Sequence, residues 1–227
     1  MVYESIEAWQ RKLSNALMHM NKQYFLKIFE KAKKKYGPSS KRLAGEGWNE
    51  DWQTLIATIL SAQTRDETTI PVAEALFKKY DSVDKLAKAK LYDVEDSIRR
   101  INFYKNKSKN IIGAAKWLRD NGHKDGTVPD TIEELIKMPG VGRKTANLIM
   151  TEVHNKDGIC VDTHVHRISN VFGFVKTKNP KETEFALMKI VPKEYWSKIN
   201  RIFVLWGKDV KGRDKKKFLE QLKEEND

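Results

Sequence analysis

The stretch Leu135-Ile136-Lys137-Met138-Pro139-Gly140-Val141-Gly142-Arg143-Lys144-Thr145-Ala146 decides how this chain is read. A helical run ends in Pro-Gly-Val-Gly, and a second helical run begins with a lysine in its first turn. The two glycines permit a tight reversal and a close approach of backbone to a partner. Amides at the start of the second helix have no intrahelical acceptor, so they form an anion site suited to a DNA phosphate. Lys144 is oddly placed there, because a cation in the first turn opposes the helix dipole. A neutral amine does not, and a neutral amine is what a lysine nucleophile needs.

Working outward, the pattern is helical almost throughout. Apolar residues recur at helical spacing over about 6–36, then the chain breaks at Gly37-Pro38-Ser39-Ser40 and Gly45-Glu46-Gly47. A nearly continuous apolar run over 52–62 predicts a buried helix. Further helices are expected over 69–80, 82–89, 93–100, 105–121, 132–138, 143–153, 163–172, 180–190, 195–207 and 215–224. Asp130 or Thr131, with Glu134 after it, starts the one at 132. Strand-like alternation is scarce, so the expected class is all-α.

Composition agrees with a polyanion partner. The 227 residues include 43 Lys+Arg against 31 Asp+Glu, a net charge of +12. No apolar run approaches the ~20 residues of a membrane helix, and the polar start has no signal-peptide core. The expectation is an intracellular monomer without membrane contact. Cys160 is the single cysteine, which leaves no disulfide within the chain and no all-cysteine metal site. His154, His164 and His166 lack the flanking ligands of a metal motif, so no catalytic metal is expected.

The second informative block is Val161-Asp162-Thr163-His164. Asp162 stands where a helix N-cap is expected, and an N-cap aspartate is held ionised and oriented by backbone amides. Taken alone it would be only a cap. Beside Lys144 and a phosphate cradle it suggests glycosidic-bond cleavage on a deoxynucleotide. The amine attacks C1′ while the carboxylate stabilises the cationic sugar as the base leaves.

Met138-Pro139-Gly140-Val141-Gly142-Arg143-Lys144-Thr145-Ala146-Asn147, followed by Val161-Asp162-Thr163-His164, resembles the helix-hairpin-helix (HhH-GPD) DNA glycosylase superfamily, and most of all its endonuclease III branch. Leu60-Ser61-Ala62-Gln63-Thr64-Arg65-Asp66 and Ile101-Asn102-Phe103-Tyr104-Lys105-Asn106-Lys107 are similar to two further blocks of that family. The resemblance implies two helical lobes with a DNA-binding cleft between them: a central one at 50–156, with the helix-hairpin-helix at about 132–153, and a terminal one formed from 1–49 and 157–227. It also implies a base-excision-repair glycosylase with AP lyase activity on oxidised pyrimidines, working on duplex DNA at the prokaryotic nucleoid. Lys144 would be the Schiff-base nucleophile and Asp162 the catalytic carboxylate. Gly140, Gly142 and Arg143 would bind DNA, Gln63 would fill the gap left by an extruded nucleotide, and Phe103 would be the wedge. For Phe103 an ordinary core position is equally open. Carbonyls of Ile136, Met138 and Val141 would hold a Na or K ion.

Two departures stand out. The family often ends in a four-cysteine iron–sulfur loop, whereas this chain runs Lys208-Asp209-Val210-Lys211-Gly212-Arg213-Asp214-Lys215, so no cluster is expected. Asn102 replaces a frequent glycine, and asparagine tolerates left-handed backbone. The alternatives are a mismatch thymine, uracil or adenine glycosylase, or a non-catalytic hairpin module. Lys144 argues against the first and Asp162 against the second.

Overall fold

The computed structural model describes residues 6–222, with the backbone alone for 6–11 and 14. The described chain is built from α-helices joined by turns, with no strand among the described residues. It divides into two compact units. One holds the chain up to Ser40 and from Ile159 on, and the other is Lys41–Gly158. Residues 41–49, expected in the terminal lobe, are tied to the central unit by long-range bonds. Ala44 N–H donates to Asp66 Oδ1 at 3.1 Å, and Arg42 pairs with Glu74 at 3.0 Å.

In the central unit, α2 (Asp51–Ser61) is the axis. Its Leu55, Ile56, Ala57 and Leu60 are fully buried, as the continuous apolar run requires. Around it lie α3 (Asp66–Lys79), α4 (Val83–Ala87), α5 (Leu91–Ser97) and α6 (Tyr104–Asp120). α3 begins at Asp66 rather than 69, because Asp66 and Glu67 complement the positive end of the helix. The pair α7 (Ile132–Leu135) and α8 (Arg143–Glu152) completes this unit. α7 stops short of Met138. The chain goes on in tighter i→i−3 turns, from Lys137 N–H to Glu134 O and from Met138 N–H to Leu135 O.

The terminal unit joins α1 (Ile6–Tyr36) to α9 (Thr163–Val171), α10 (Pro180–Ile190), α11 (Trp196–Asp209) and α12 (Lys215–Gln221). The part of the 215–224 helix beyond 222 lies outside the described residues. The core of this unit is aromatic. Phe25 and Phe29 stack at 5.4 Å, Phe29 meets Phe203 at 5.8 Å, and Trp206 meets Phe218 edge-on at 5.2 Å. Such pairs add ~0.5–1.5 kcal/mol each beyond the area they bury.

Candidate active site

The hairpin is anchored from below and open above. Thr131 caps α7 by accepting the Glu134 N–H, while Met138 and Val141 sink into the central core. Val141 N–H closes the turn on Met138 O at 3.1 Å, and Ile136 stays exposed. Gly140 has φ +81°, a conformation that costs an L side chain ~1–2 kcal/mol. A Cβ there would also stand 2.8 Å from Asn110 Cβ of α6, so only glycine fits. Gly142 is the N-cap of α8, whose first i→i−4 bond runs from Ala146 N–H to Gly142 O at 2.9 Å. Thr145, Ala146 and Ile149 fix one side of α8 in the core. Lys144, its second residue, is exposed, and Arg143 beside it is half-buried.

Asp162 lies in the terminal unit as the N-cap of α9. Its Oδ1 accepts both the His164 N–H (2.9 Å) and the Val165 N–H (2.8 Å). The carboxylate is half-buried and oriented by backbone. The helix that carries it is locked to α11. Arg167 Nη2 donates to Gly207 O at 2.7 Å and to Val210 O at 3.1 Å, placing a cation on carbonyls at the end of α11. His164 fills the contact between these helices, and a Cβ on Gly207 would collide with its Nδ1. Burial holds the His164 imidazole below its ordinary value, with the Asp162 charge acting in the opposite direction.

Gln63 and Phe103 belong to two loops that the central unit joins. Both side chains are exposed and both residues have left-handed backbone, at φ +55° and +59°. Phe103 is 62% exposed, which removes the core reading. The left-handed residue of this loop is Phe103 and not Asn102. Asn102 is instead committed to cross-loop bonds, its Nδ2 donating to Gln63 O at 2.6 Å and its N–H to Thr64 Oγ1 at 3.2 Å.

Sequence reasoning missed one participant. Lys107 is 6% exposed, and its Nζ donates to Leu60 O (2.7 Å), Ala62 O and Thr64 Oγ1 (3.1 Å). The signal was present in the spacing. Lys107 starts the stripe Ile111, Ala114, Leu118 that faces the core, whereas its neighbours Lys105 and Lys109 are exposed.

Comparison with known proteins places the chain in a family. Residues 56–193 match the HhH-GPD superfamily base excision DNA repair proteins. The endonuclease III of Thermotoga maritima is 44% identical over 161 residues, which are 71% of this chain and 75% of that protein. That of Synechocystis sp. is 39% identical over 159 residues, covering 70% and 72%. A solved trapped endonuclease III–DNA covalent intermediate, the estranged-adenine complex, superposes with a TM-score of 0.77 at 34% identity, covering 85% of this chain and 89% of that one. A thermostable thymine-DNA glycosylase shares the fold, with a TM-score of 0.69 at 17% identity over 82% of this chain and 87% of that one. With its Pro-Gly-Val-Gly hairpin, a lysine at the head of α8 and a capping aspartate on α9, the chain belongs to the HhH-GPD superfamily of base excision DNA repair proteins, alongside the endonucleases III.

Proposed function

We propose that this protein is a base-excision-repair DNA glycosylase with AP lyase activity, acting on duplex DNA that carries an oxidised pyrimidine or an abasic site. The observation that carries the reading is the exposed Lys144 at the head of α8, behind a glycine hairpin that offers backbone amides to a phosphate. Lys144 Nζ bonds to C1′ as the glycosidic bond breaks, and the base leaves with the bonding pair and takes up a proton. The Asp162 carboxylate stabilises the cationic sugar. Ring opening gives an iminium between C1′ and Nζ, which acidifies the C2′ proton. Loss of that proton forms the C2′–C3′ double bond and expels the 3′ phosphate. Water then releases the lysine. The two units are the proposed lobes of the enzyme, the central one supplying the amine and the terminal one the carboxylate. Its proposed active form is a monomer in the prokaryotic cytoplasm, at the nucleoid.

A Na or K ion fits the hairpin in donor chemistry, since carbonyls of Ile136, Met138 and Val141 are hard oxygen ligands. Such an ion would add positive charge beside the phosphate. An iron–sulfur cluster does not fit. The single cysteine, Cys160, is buried, and among the described residues no group of three or more His, Cys, Asp or Glu could hold a metal. Where the family often places a cysteine loop, the chain turns at Gly212 into α12, and Phe218 is buried between Phe172 and Trp206. Arg167 lies over Phe218 at 5.5 Å, and Lys215 lies over Tyr24 at 5.1 Å. We propose that this aromatic and cation–π contact does the work of closing the segment. The purified protein is therefore expected to be colourless and to refold without iron, and stoichiometric iron would overturn this.

The test of the function is incubation with duplexes carrying an oxidised pyrimidine, a uracil or thymine mispair, or an abasic site, each under borohydride. A covalent adduct and a nick 3′ to the lesion are expected for the oxidised pyrimidine and the abasic site. No adduct with any abasic duplex would overturn the lyase assignment.

A further inference from the structure

Gln63 and Phe103 share an unfavourable feature. Each holds a left-handed backbone that costs ~1–2 kcal/mol for an L residue, and such strain persists only where neighbours over-determine the conformation. Both are exposed, so their own side chains are not what holds them. The bonds around them are. The carbonyl before Gln63 (Ala62 O) accepts from Lys107 Nζ, and Gln63's own carbonyl accepts from Asn102 Nδ2 at 2.6 Å. Thr64 Oγ1 accepts from both Lys107 Nζ (3.1 Å) and Asn102 N–H (3.2 Å). Asn102 directly precedes Phe103. Gln63 is thus gripped on both sides, by bonds from Asn102 just before Phe103 and from Lys107 in the first turn of α6.

Lys107 is the buried member of this set. Its acceptors Leu60 O and Ala62 O lie at the C-terminal end of α2, where helix carbonyls lack intrahelical donors and carry partial negative charge. A buried ammonium is tolerated only with such partners, and these oxygens in turn depend on it for a donor. Its burial also keeps it from direct contact with DNA.

We propose that Lys107 is a positioning residue for duplex recognition: it clamps the end of α2 to the start of α6 and so sets Gln63 and Phe103 at one spacing for insertion into the stack. This rests on the reading of those two residues as fillers of the gap left by an extruded nucleotide. An abasic single strand has no complementary stack to fill, so the clamp is dispensable there. The lysine chemistry of Lys144 is still needed.

The experiment compares Lys107→Met and Asn102→Ala with the parent protein on a duplex lesion and on a single-stranded abasic oligonucleotide, with circular dichroism as the check on folding. On the duplex, kcat/KM is expected to fall by roughly tenfold or more in Lys107→Met, while nicking of the single strand stays within about twofold. Parent-like rates on the duplex, or equal losses on both substrates in a folded variant, would overturn the proposal. Should Lys107→Met not fold, the exposed Asn102→Ala decides, with the same substrate split expected and its absence fatal. Amide exchange at 62–65 and 102–104 reads the clamp without DNA. Faster exchange in both variants is expected, and unchanged rates would sink the clamp even if the parent protein proved inactive. A parent inactive on both substrates would sink the glycosylase reading instead.

Discussion

At the scale of single residues, the tasks proposed for Lys144 and Asp162 are separable. Lys144→Ala should abolish borohydride trapping and nicking while duplex binding stays within a few-fold, because the proposed phosphate cradle is backbone. Gel-shift titration beside the trapping assay checks both halves. Asp162→Asn keeps an Oδ1 for the two amides it caps, so the fold should survive. Base release should nonetheless drop on the order of a thousandfold, because a neutral amide offers no charge to a cationic sugar. Near-normal release would leave Asp162 as a cap alone. Lys107 adds a test in pH. Burial pushes its ammonium from the ordinary 10.5 down to about 8. Between those values the unfolded chain binds more protons than the folded one, so this group's contribution to stability rises with pH there and is constant below about 8. The stability of the parent protein minus that of Lys107→Met, from urea melts at pH 7 to 10, should therefore be flat at first and then climb.

At the scale of elements, most helices could be read from apolar spacing, and the Asp162 cap from its place before an amphipathic run. What could not be read is how one element meets another. The inward turn of Lys107 is hidden among Lys105 and Lys109, and only its register with Ile111 and Leu118 betrays it. The assignment of 41–49 to the central unit depends on bonds from Arg42 and Ala44 to residues far along the chain. Left-handed backbone fell on Phe103 rather than Asn102 because the asparagine amide is spent on the neighbouring loop. The contact of α9 with α11 was equally invisible, and it yields a sharp prediction. Gly207→Ala drives a methyl into His164 Nδ1 and sets it 3.0 Å from Arg167 Nη2. Overpacking of this kind costs ~1–3 kcal/mol. The melting temperature should fall, and base release should fall with it because α9 carries Asp162. An unchanged melting point would mean that the two helices part freely.

At the scale of the whole molecule, a net charge of +12 and the proposed phosphate site of backbone amides should make binding electrostatic and tolerant of neighbouring sequence. Affinity for a lesion duplex should fall steeply with salt, with a log–log slope of about −0.9 for each phosphate contacted. It should change little when the flanking bases are changed. Titration across a salt series in several contexts checks this, and a flat response would argue against a DNA enzyme. The division of the chain has a further consequence, for the order in which the protein is made. Phe25 and Phe29 of α1 pack against Phe174 and Phe203, which leave the ribosome only after all of Lys41–Gly158. At ~5–20 residues per second, α1 waits on the order of ten seconds for its partners. By the end of that interval the central unit has every residue it needs to fold, while the buried face of α1 is still bare and open to any chaperone that binds nascent aromatic helices.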